Sequence, residues 1–530
     1  MRETEAADSI LNDERNTTDE WHLREAQTHD GARPELVARR HAKGYRTARE
    51  NLTDLCDAGS FNEYGQLAVA AQRQRRSPEE LREDTPADGI ITGTATINEE
   101  VFGTEATKVA VAINDFTVLA GTQGFFHHKK LDRILQIAHR QCIPVVMFTE
   151  GGGGRPGDVD VLTGATGLGA PTFATWAAMS GVVPRIAVNN GYCFAGNAAL
   201  FGCADITIAT RTSWIGMAGP AMIEGGGLGQ FAPKEIGPID VQSPNGVVDI
   251  VVENEADATA VAKKVLGYFQ GSSADWSAAD QQALADIMPQ NRRMSYKVRR
   301  IIACLVDTDS FTELRSDYGA GIITGFIRIE GRPIGLLAND CGVLAGAIDA
   351  VAAEKAGRFL RLCDAHNIPL LSLCDTPGFM VGPDSESQAS VRRMSRLFVA
   401  GASVQVPWVC VVLRKAYGLG AMAMCGGSLA RPDCTVAWPQ GEFGAMGLEG
   451  AVNLGFKKEL EAEADEDKRR ALFESLVDEL YAKGSAAETA SFVDIDAVID
   501  PSTTRKRIVS ALQNARDKTP QAHRPFVDVW

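Results

Sequence analysis

The feature that most constrains this chain is that it repeats itself once. DAGSFNEYG at 57–65 returns as DTDSFTELRSDYG at 307–319, and DGIITGTATINEE at 88–100 as AGIITGFIRIEGR at 320–332. KKLDRILQIAHRQCIPVVMFTEGGGGRPGD at 129–158 is echoed by EKAGRFLRLCDAHNIPLLSLCDTPGFMVGPD at 354–384. VPRIAVNNGYCFAGNAAL at 183–200 is echoed by VPWVCVVLRKAYGLGAMAM at 406–424, and Trp214 answers Trp438. Order is kept while the offset drifts from 250 (57 to 307) to 223 (183 to 406). A period this long is no solenoid. It means two copies of one domain: a polar extension at 1–32, a first copy at 33–290 and a second at 291–530, joined through the polar stretch near 253–295.

Each copy reads alike. A hairpin of β-rich segments comes first (89–97 and 109–113; 321–329 and 333–338), then an amphipathic helix (127–140; 346–365). A short apolar strand follows (143–149; 368–374) and ends in a Gly loop, Glu150–Gly154 or Asp375–Gly378. A second helix, a strand opened by Val-Pro (185–189; 408–413) and a small-residue turn complete the unit. The expectation is an α/β fold of repeated ββα units. Residues 34–56 have helical spacing with a basic face, read as solvated in preference to an anion site. Residues 457–488 and 493–517 are each expected as one helix.

Several chemistries are excluded by what the sequence lacks. There is no G-x-x-x-x-G-K-[ST], no G-x-G-x-x-G with an acidic partner after a strand, no H-E-x-x-H and no G-x-S-x-G. No metal site is expected. His127 and His128 are adjacent and read as structural or surface residues. The chain's 53 Lys+Arg against 68 Asp+Glu leave a net charge of −15, the wrong sign for nucleic acid. No apolar run is long enough to span a membrane. Eleven scattered Cys and the absence of an N-terminal signal read as reduced core thiols in a cytoplasmic protein. Trp214 and Trp438 read as core.

What remains is a pair of Gly-rich turns at matching points of both copies. In the first, Ala195-Gly196-Asn197 follows a strand and leads into small residues; in the second, Tyr417-Gly418-Leu419-Gly420-Ala421 does the same. Such turns aim main-chain N–H groups at one point, the arrangement of an oxyanion hole. Close packing of helix on strand also asks for small residues, but two equivalent turns, each downstream of another Gly loop, favour function.

With DGIITG, DFTVLAGTQG at 115–124, GYCFAGNAAL, CDTPGFMVG at 374–382, RKAYGLGAMAM and DAVIDPSTTRKRI at 496–508, the chain resembles the carboxyltransferase (β) subunit of biotin-dependent acyl-CoA carboxylases, the propionyl-, acetyl- and methylcrotonyl-CoA carboxylase type. The resemblance implies tandem crotonase-like domains, with acyl-CoA bound mainly by the first copy and biotin by the second. It implies CO2 moving from N-carboxybiotin to the α-carbon of an acyl-CoA through an enolate. Two oxyanions then develop, the thioester oxygen held by Gly196 and Asn197 and the biotin oxygen by Gly418, Leu419 and Gly420. It also implies active sites between subunits of a homo-oligomer, a hexamer. The chain carries no Met-Lys-Met biotinylation motif and no ATP-binding loop, so biotin carboxylase and carrier functions are expected on a partner α subunit.

Gly153, Gly154, Arg155, Ala195, Tyr417, Ala421, Met422, Gly378 and Phe379 are the expected substrate-binding residues. Arg155 and Asp158 are read either as CoA-phosphate contacts or as loop caps. Phe379 is read as stacking on biotin or packing in the core, and Arg414 and Lys415 as facing a partner subunit or solvent. Three positions depart from the family pattern. Asn197 replaces a Gly, Leu419 another, and Met422 an acidic residue that in relatives bears on acyl choice. EGGGGRPGD also stands in place of a more usual Ser-Gly-Gly-Ala-Arg. A larger or unusual acyl chain is therefore expected. Two alternatives stay open: the carboxyltransferase of a biotin-dependent acyl-CoA decarboxylase, and a non-catalytic structural paralogue.

Overall fold

The computed structural model describes residues 17–160, 169–292, 294–515 and 527–530. Residues 1–16 of the polar extension and 516–517 of the expected closing helix lie outside these. The chain forms two compact units that divide between Gln270 and Gly271.

The first unit carries β1 (Asn62–Tyr64), β2 (Ile90–Thr96), β3 (Lys108–Asn114), β4 (Val145–Phe148), β5 (Arg185–Asn189), β6 (Tyr192–Phe194), β7 (Ile206–Thr210), β8 (Trp214–Gly216) and β9 (Ile250–Val252). Seven of them make one sheet in the order β1-β2-β3-β4-β5-β7-β9, antiparallel through β3 and parallel from there on. β6 and β8 form a separate parallel pair. The parallel strands are covered on both faces, which is why β3 and β5 are buried almost end to end.

The helices of this unit that matter here are α1 (Pro34–His41), α2 (Ala48–Leu55), α3 (Phe125–Gln141), α4 (Gly196–Gly202) and α5 (Glu255–Phe269). Leu131, Ile134, Leu135 and Ala138 recur at helical spacing on α3 and turn it onto the sheet. The segment 34–56 is not one helix. It breaks at Gly44, whose φ is +80°, and restarts at a capping box in which Thr47 and Glu50 cap each other. The stretch read as a polar connection opens with α5, whose Ala258, Ala262, Val265 and Leu266 are buried.

The second unit repeats the plan with β10 (Thr312–Leu314), β11 (Ile322–Ile329), β12 (Arg332–Asn339), β13 (Leu370–Thr376), β14 (Trp408–Tyr417), β15 (Cys434–Ala437), β16 (Glu442–Gly444) and β17 (Ala497–Val498). The sheet order is β10-β11-β12-β13-β14-β15-β17. β14 does the work of both β5 and β6, and its last three residues pair with β16 as β6 pairs with β8. The first copy breaks there because Asn190-Gly191 interrupts the strand.

α6 (Ala350–Ala365), α7 (Ser390–Ser403), α8 (Gly418–Met424), α9 (Glu466–Lys483) and α10 (Thr504–Asn514) complete the relevant helices. Each unit also buries a lysine at the same point of α3 or α6. Lys130 donates to the carbonyls of Ala87 (2.8 Å) and Ile90 (2.5 Å), and Lys355 to that of Arg315 (2.8 Å). Burial brings the Lys130 ammonium down to about 8. The charged stretch 457–488 is broken into pieces, with α9 the longest, and 493–517 yields β17 before α10.

Trp438 is fully buried and donates its indole N–H to Thr504 Oγ1 at 2.9 Å, tying α10 to the sheet. Trp438→Ala is expected to cost about 3–5 kcal/mol, seen as a lowered urea midpoint for the transition of the second unit.

Candidate active site

Both Gly turns are built the same way. A strand delivers the chain to one residue of positive φ, Ala195 at +51° after β6 and Gly418 at +57° after β14, and α4 or α8 follows. In α4 the N–H groups of Gly196, Asn197 and Ala198 have no partner within the helix. The first to bond back is that of Ala199, to the Ala195 carbonyl at 2.9 Å.

Behind each turn runs the loop that leaves β4 or β13. In the first unit Gln123 N–H donates to the Gly153 carbonyl (2.7 Å) and Arg155 N–H to that of Gln123 (2.9 Å). In the second, Ile348 N–H donates to the Gly378 carbonyl (3.0 Å) and Met380 N–H to that of Ile348 (2.8 Å). It is the same bridge twice. A trans peptide aims its C=O and the next N–H in opposite directions, so the N–H groups of Gly154 and Phe379 face away from these bridges. In the second unit that direction leads to α8. A Cβ placed on Gly420 would lie 3.0 Å from Phe379 N and 2.6 Å from Gly378 Cα. Gly420 and Gly378 (φ +122°) therefore meet backbone to backbone, with no room for a side chain.

The first unit solves the same contact differently. Asn197, at the place of Gly420, is fully buried. Its Oδ1 accepts the Gly153 N–H at 3.0 Å and its Nδ2 donates to the Gly121 carbonyl at 3.4 Å. The residue that departs from the family pattern is thus a clamp between loop and turn. Gly196 lies against buried Gln123, since a Cβ there would come within 2.1 Å of Gln123 Oε1.

The other expected residues fall as follows. Gly154 is exposed and Gly153 buried, its φ of +90° setting it against Ala195. Ala421 and Tyr417 are buried, and the Tyr417 hydroxyl donates to Glu442 at 2.8 Å. Leu419 (61% exposed) and Met422 (38%) stand out from α8. Phe379 is half-buried against the ring of Phe398. The reading of Arg155 as a CoA-phosphate contact is corrected. Its side chain turns inward to Asp88 (2.5 Å), Asp158 (3.4 Å) and the Thr122 carbonyl (2.9 Å), holding the loop to the start of α3. Arg414 turns away from solvent, and Lys415 is half-buried. Arg414 is buried between Asp375 (3.1 Å) and the carbonyls of Arg292 and Met294, and Lys415 donates to the Ala345 carbonyl at 2.6 Å. Trp214 is only half-buried, beside Tyr192.

The sequence reading passed over two buried acids, one at the end of each central strand. Asp375 accepts from the Tyr296 hydroxyl (2.8 Å), Arg414 and the Lys415 N–H (3.1 Å). Glu150 is held by Arg40 from α1, at 2.5 and 3.0 Å. Arg40 also reaches Glu255 at 3.4 Å. One cation thus serves two buried carboxylates. Burial, only partly offset by Arg40, raises Glu150 and lifts Glu255 to about 7. Acids that precede Gly in a run such as TEGGGG are the signal that was available.

Among the described residues no group of three His, Cys, Asp or Glu is placed to hold a metal ion, and no helix is long and apolar enough to cross a membrane. Comparison with known proteins adds the following. The carboxyl transferase domain model matches residues 39–526. The methylmalonyl-CoA carboxyltransferase 12S subunit of Propionibacterium freudenreichii subsp. shermanii is 33% identical over 488 residues, 90% of each chain. A transcarboxylase 12S crystal structure, titled for its hexamer assembly and substrate binding, matches with a TM-score of 0.80 at 30% identity over 96% of this chain and 97% of that one. The methylmalonyl-CoA decarboxylase subunit alpha of Veillonella parvula is 32% identical over 518 residues, 95% of this chain and 97% of that one. A solved single-chain, multi-domain long-chain acyl-CoA carboxylase matches with a TM-score of 0.89 at 53% identity over 93% of this chain. The present chain spans 48% of that protein.

Two outcomes are expected. Asn197→Ala leaves the buried Gly153 N–H unpaired and costs about 1–3 kcal/mol in chemical denaturation. Glu255 binds its proton more tightly folded than unfolded, so its contribution falls as pH rises from the ordinary carboxylate range through about 7. Glu255→Gln should therefore raise the urea midpoint relative to wild type at pH 8 and lose that advantage at pH 5.

Proposed function

This chain belongs to the carboxyl transferase family, and we propose that it is the carboxyltransferase of a biotin-dependent acyl-CoA carboxylase. Biotin carboxylase and biotin carrier functions sit on a partner, which brings the carboxyl group as carboxybiotin. The chain's own task is to hold charge on two oxygens. In the first unit the N–H groups of Gly196 and Asn197, with that of Gly154 from the loop, hold the thioester oxygen as the α-carbon turns nucleophilic. In the second, Gly420 and Phe379 supply N–H groups to the biotin ureido oxygen, and Gly418 and Leu419 set the turn. Donors of this kind are worth about 2.7–4 kcal/mol each where measured by mutation. The supporting observation is the repetition of one bridge and one positive-φ corner at matching points of both units. Packing alone explains small residues; it does not require the same bridge behind the same corner in both units.

In this assignment Asn197 contributes its main chain to charge stabilisation and its side chain to position. Phe379 likewise acts through its N–H, with the ring packing on Phe398. Homo-oligomeric assembly, a hexamer by resemblance, belongs to the same proposal.

The substrate is proposed to be an acyl-CoA with a longer chain than propionyl. Two things support this. Leu419 and Met422 put exposed apolar side chains beside the second turn, and the 53% match is to a protein titled a long-chain acyl-CoA carboxylase. Turnover with a carboxybiotin-loaded partner should rise from propionyl-CoA to palmitoyl-CoA; a clear preference for propionyl-CoA overturns the chain-length assignment. Gly420→Val should lower kcat by about 10²–10³-fold with the oligomer intact on sizing. Unchanged turnover would make the chain a scaffold.

A further inference from the structure

Residues 527–530 belong to no helix or strand, yet each has a place in the second unit. Val527 is buried. Asp528 pairs with Arg396 of α7. The Val529 carbonyl accepts from Arg315 Nη2 at 3.0 Å. The Trp530 ring lies 5.7 Å from that of Tyr318 and 5.8 Å from the Arg315 guanidinium. An apolar anchor, a charge, a carbonyl and a ring thus seat one extended segment in one groove.

The groove keeps a strained residue. Thr92 and Thr324 stand at the same point of DGIITG and AGIITG, and they pair with Tyr64 and Leu314. Arg315 therefore answers Gly65. Both turn through positive φ, +53° and +71°, and both lie against the buried lysine, Lys355 or Lys130. Glycine adopts that backbone freely and arginine does not. Strain kept at one point is a pointer to use, and the Arg315 side chain is what reaches Val529 and Trp530.

The segment grips the helix behind the second turn. α7 touches both pieces of main chain that make that turn. Its Phe398 ring packs on that of Phe379 in the loop, centroids 5.9 Å apart. Just beyond α8, a Cβ on Gly401 would lie 2.7 Å from Gly426 Cα, and one on Gly427 3.7 Å from Phe398 Cδ1. α7 is held in turn to α6 by Arg393 on Glu354 (2.6 Å) and to residues 527–530 by Arg396. We infer that the groove of Arg315, Tyr318 and Arg396 is the docking site of residues 527–530 of the same chain, a strap that fixes α7 and, through it, the second turn. The docking stands on its own contacts; its effect on turnover rests on the function proposed above. Arg396 and Asp528 are positioning residues.

Hydrogen–deuterium exchange of the α7 amides reads the hold of the strap, with kcat and KM measured beside it. Asp528→Arg and Arg396→Asp each oppose like charges. Each should speed α7 exchange about tenfold and lower kcat while KM for acyl-CoA stays the same, since α7 backs the second turn. The reversed pair, Arg396→Asp with Asp528→Arg, should restore both readouts. Arg392→Asp makes the same charge change at an exposed site of α7 and should alter neither. Unaltered exchange in the single variants overturns the strap, as does a reversed pair that restores nothing or an equal effect in Arg392→Asp. Restoration when the two single variants are co-expressed as separate chains overturns docking within one chain. Faster exchange with unchanged kcat overturns the link to the turn. A wild type that transfers no carboxyl group sinks the enzyme reading, while exchange still decides the strap.

Discussion

Everything at the proposed site depends on how closely a loop and a helix start can approach. In the second unit that approach is main chain on main chain, Gly420 against Gly378, and any side chain at 420 would collide with the Gly378 backbone. The approach brings two N–H groups from different segments to one side of the loop. A single helix start presents several N–H groups from one direction. A second segment, fixed by its own bridge to Ile348, supplies a donor that does not move with the helix. Donors set before the charge develops need no reorganisation when it does. The price is conformational, paid in positive φ at Gly378 and Gly418 and, in the first unit, at Gly153 and at Ala195, a residue with a Cβ.

The two units share this geometry but support it with different chemistry. Each puts a buried acid at the end of its central parallel strand, directly before the Gly loop. Asp375 finds its cation on the neighbouring strand, at Arg414 of β14. The first copy has Gly191 at the position matching Arg414, and a Cβ there would come within 2.3 Å of Glu150 Oε1. Glu150 fills the space an arginine would need, so its cation comes from α1 as Arg40. The break between β5 and β6, the inward turn of Arg40 and the anchoring of α1 through that side chain are one event. An unpaired buried carboxylate would be far costlier than the helix that supplies its partner.

Much of this was legible in the sequence, because duplication turns weak signals into paired ones. β2, β3, β5, α3 and α6 fell close to their expected positions, and the small-residue turns were found where the structure puts them. The misses have physical causes. The segment 34–56 keeps helical spacing straight through Gly44, and spacing does not register one residue's positive φ. Arg414 and Lys415 read as facing a partner or solvent, and Arg155 as a CoA contact or a loop cap, because a sequence does not show which acids and carbonyls fold against them. Asn197 looked like a loss from an oxyanion turn. Only coordinates reveal that its side chain turns back to the Gly153 N–H, leaving its own main-chain N–H free of that role.

Net charge illustrates the same limit. A chain at −15 is an unpromising host for a polyanion such as CoA, if charge is treated as a total. Binding responds to the local balance instead, because exposed charges farther than about 10 Å away are largely screened at ordinary salt. Near the first turn the balance is decided by pairing. Glu255, lifted by burial to about 7, is only partly ionised near neutral pH, and Arg40 pairs with it and with Glu150. Exposed Lys43, and Arg39 in its exposed contact with Glu35, then add positive charge at that surface. The total of −15 therefore says little about the sign of the charge at any one turn.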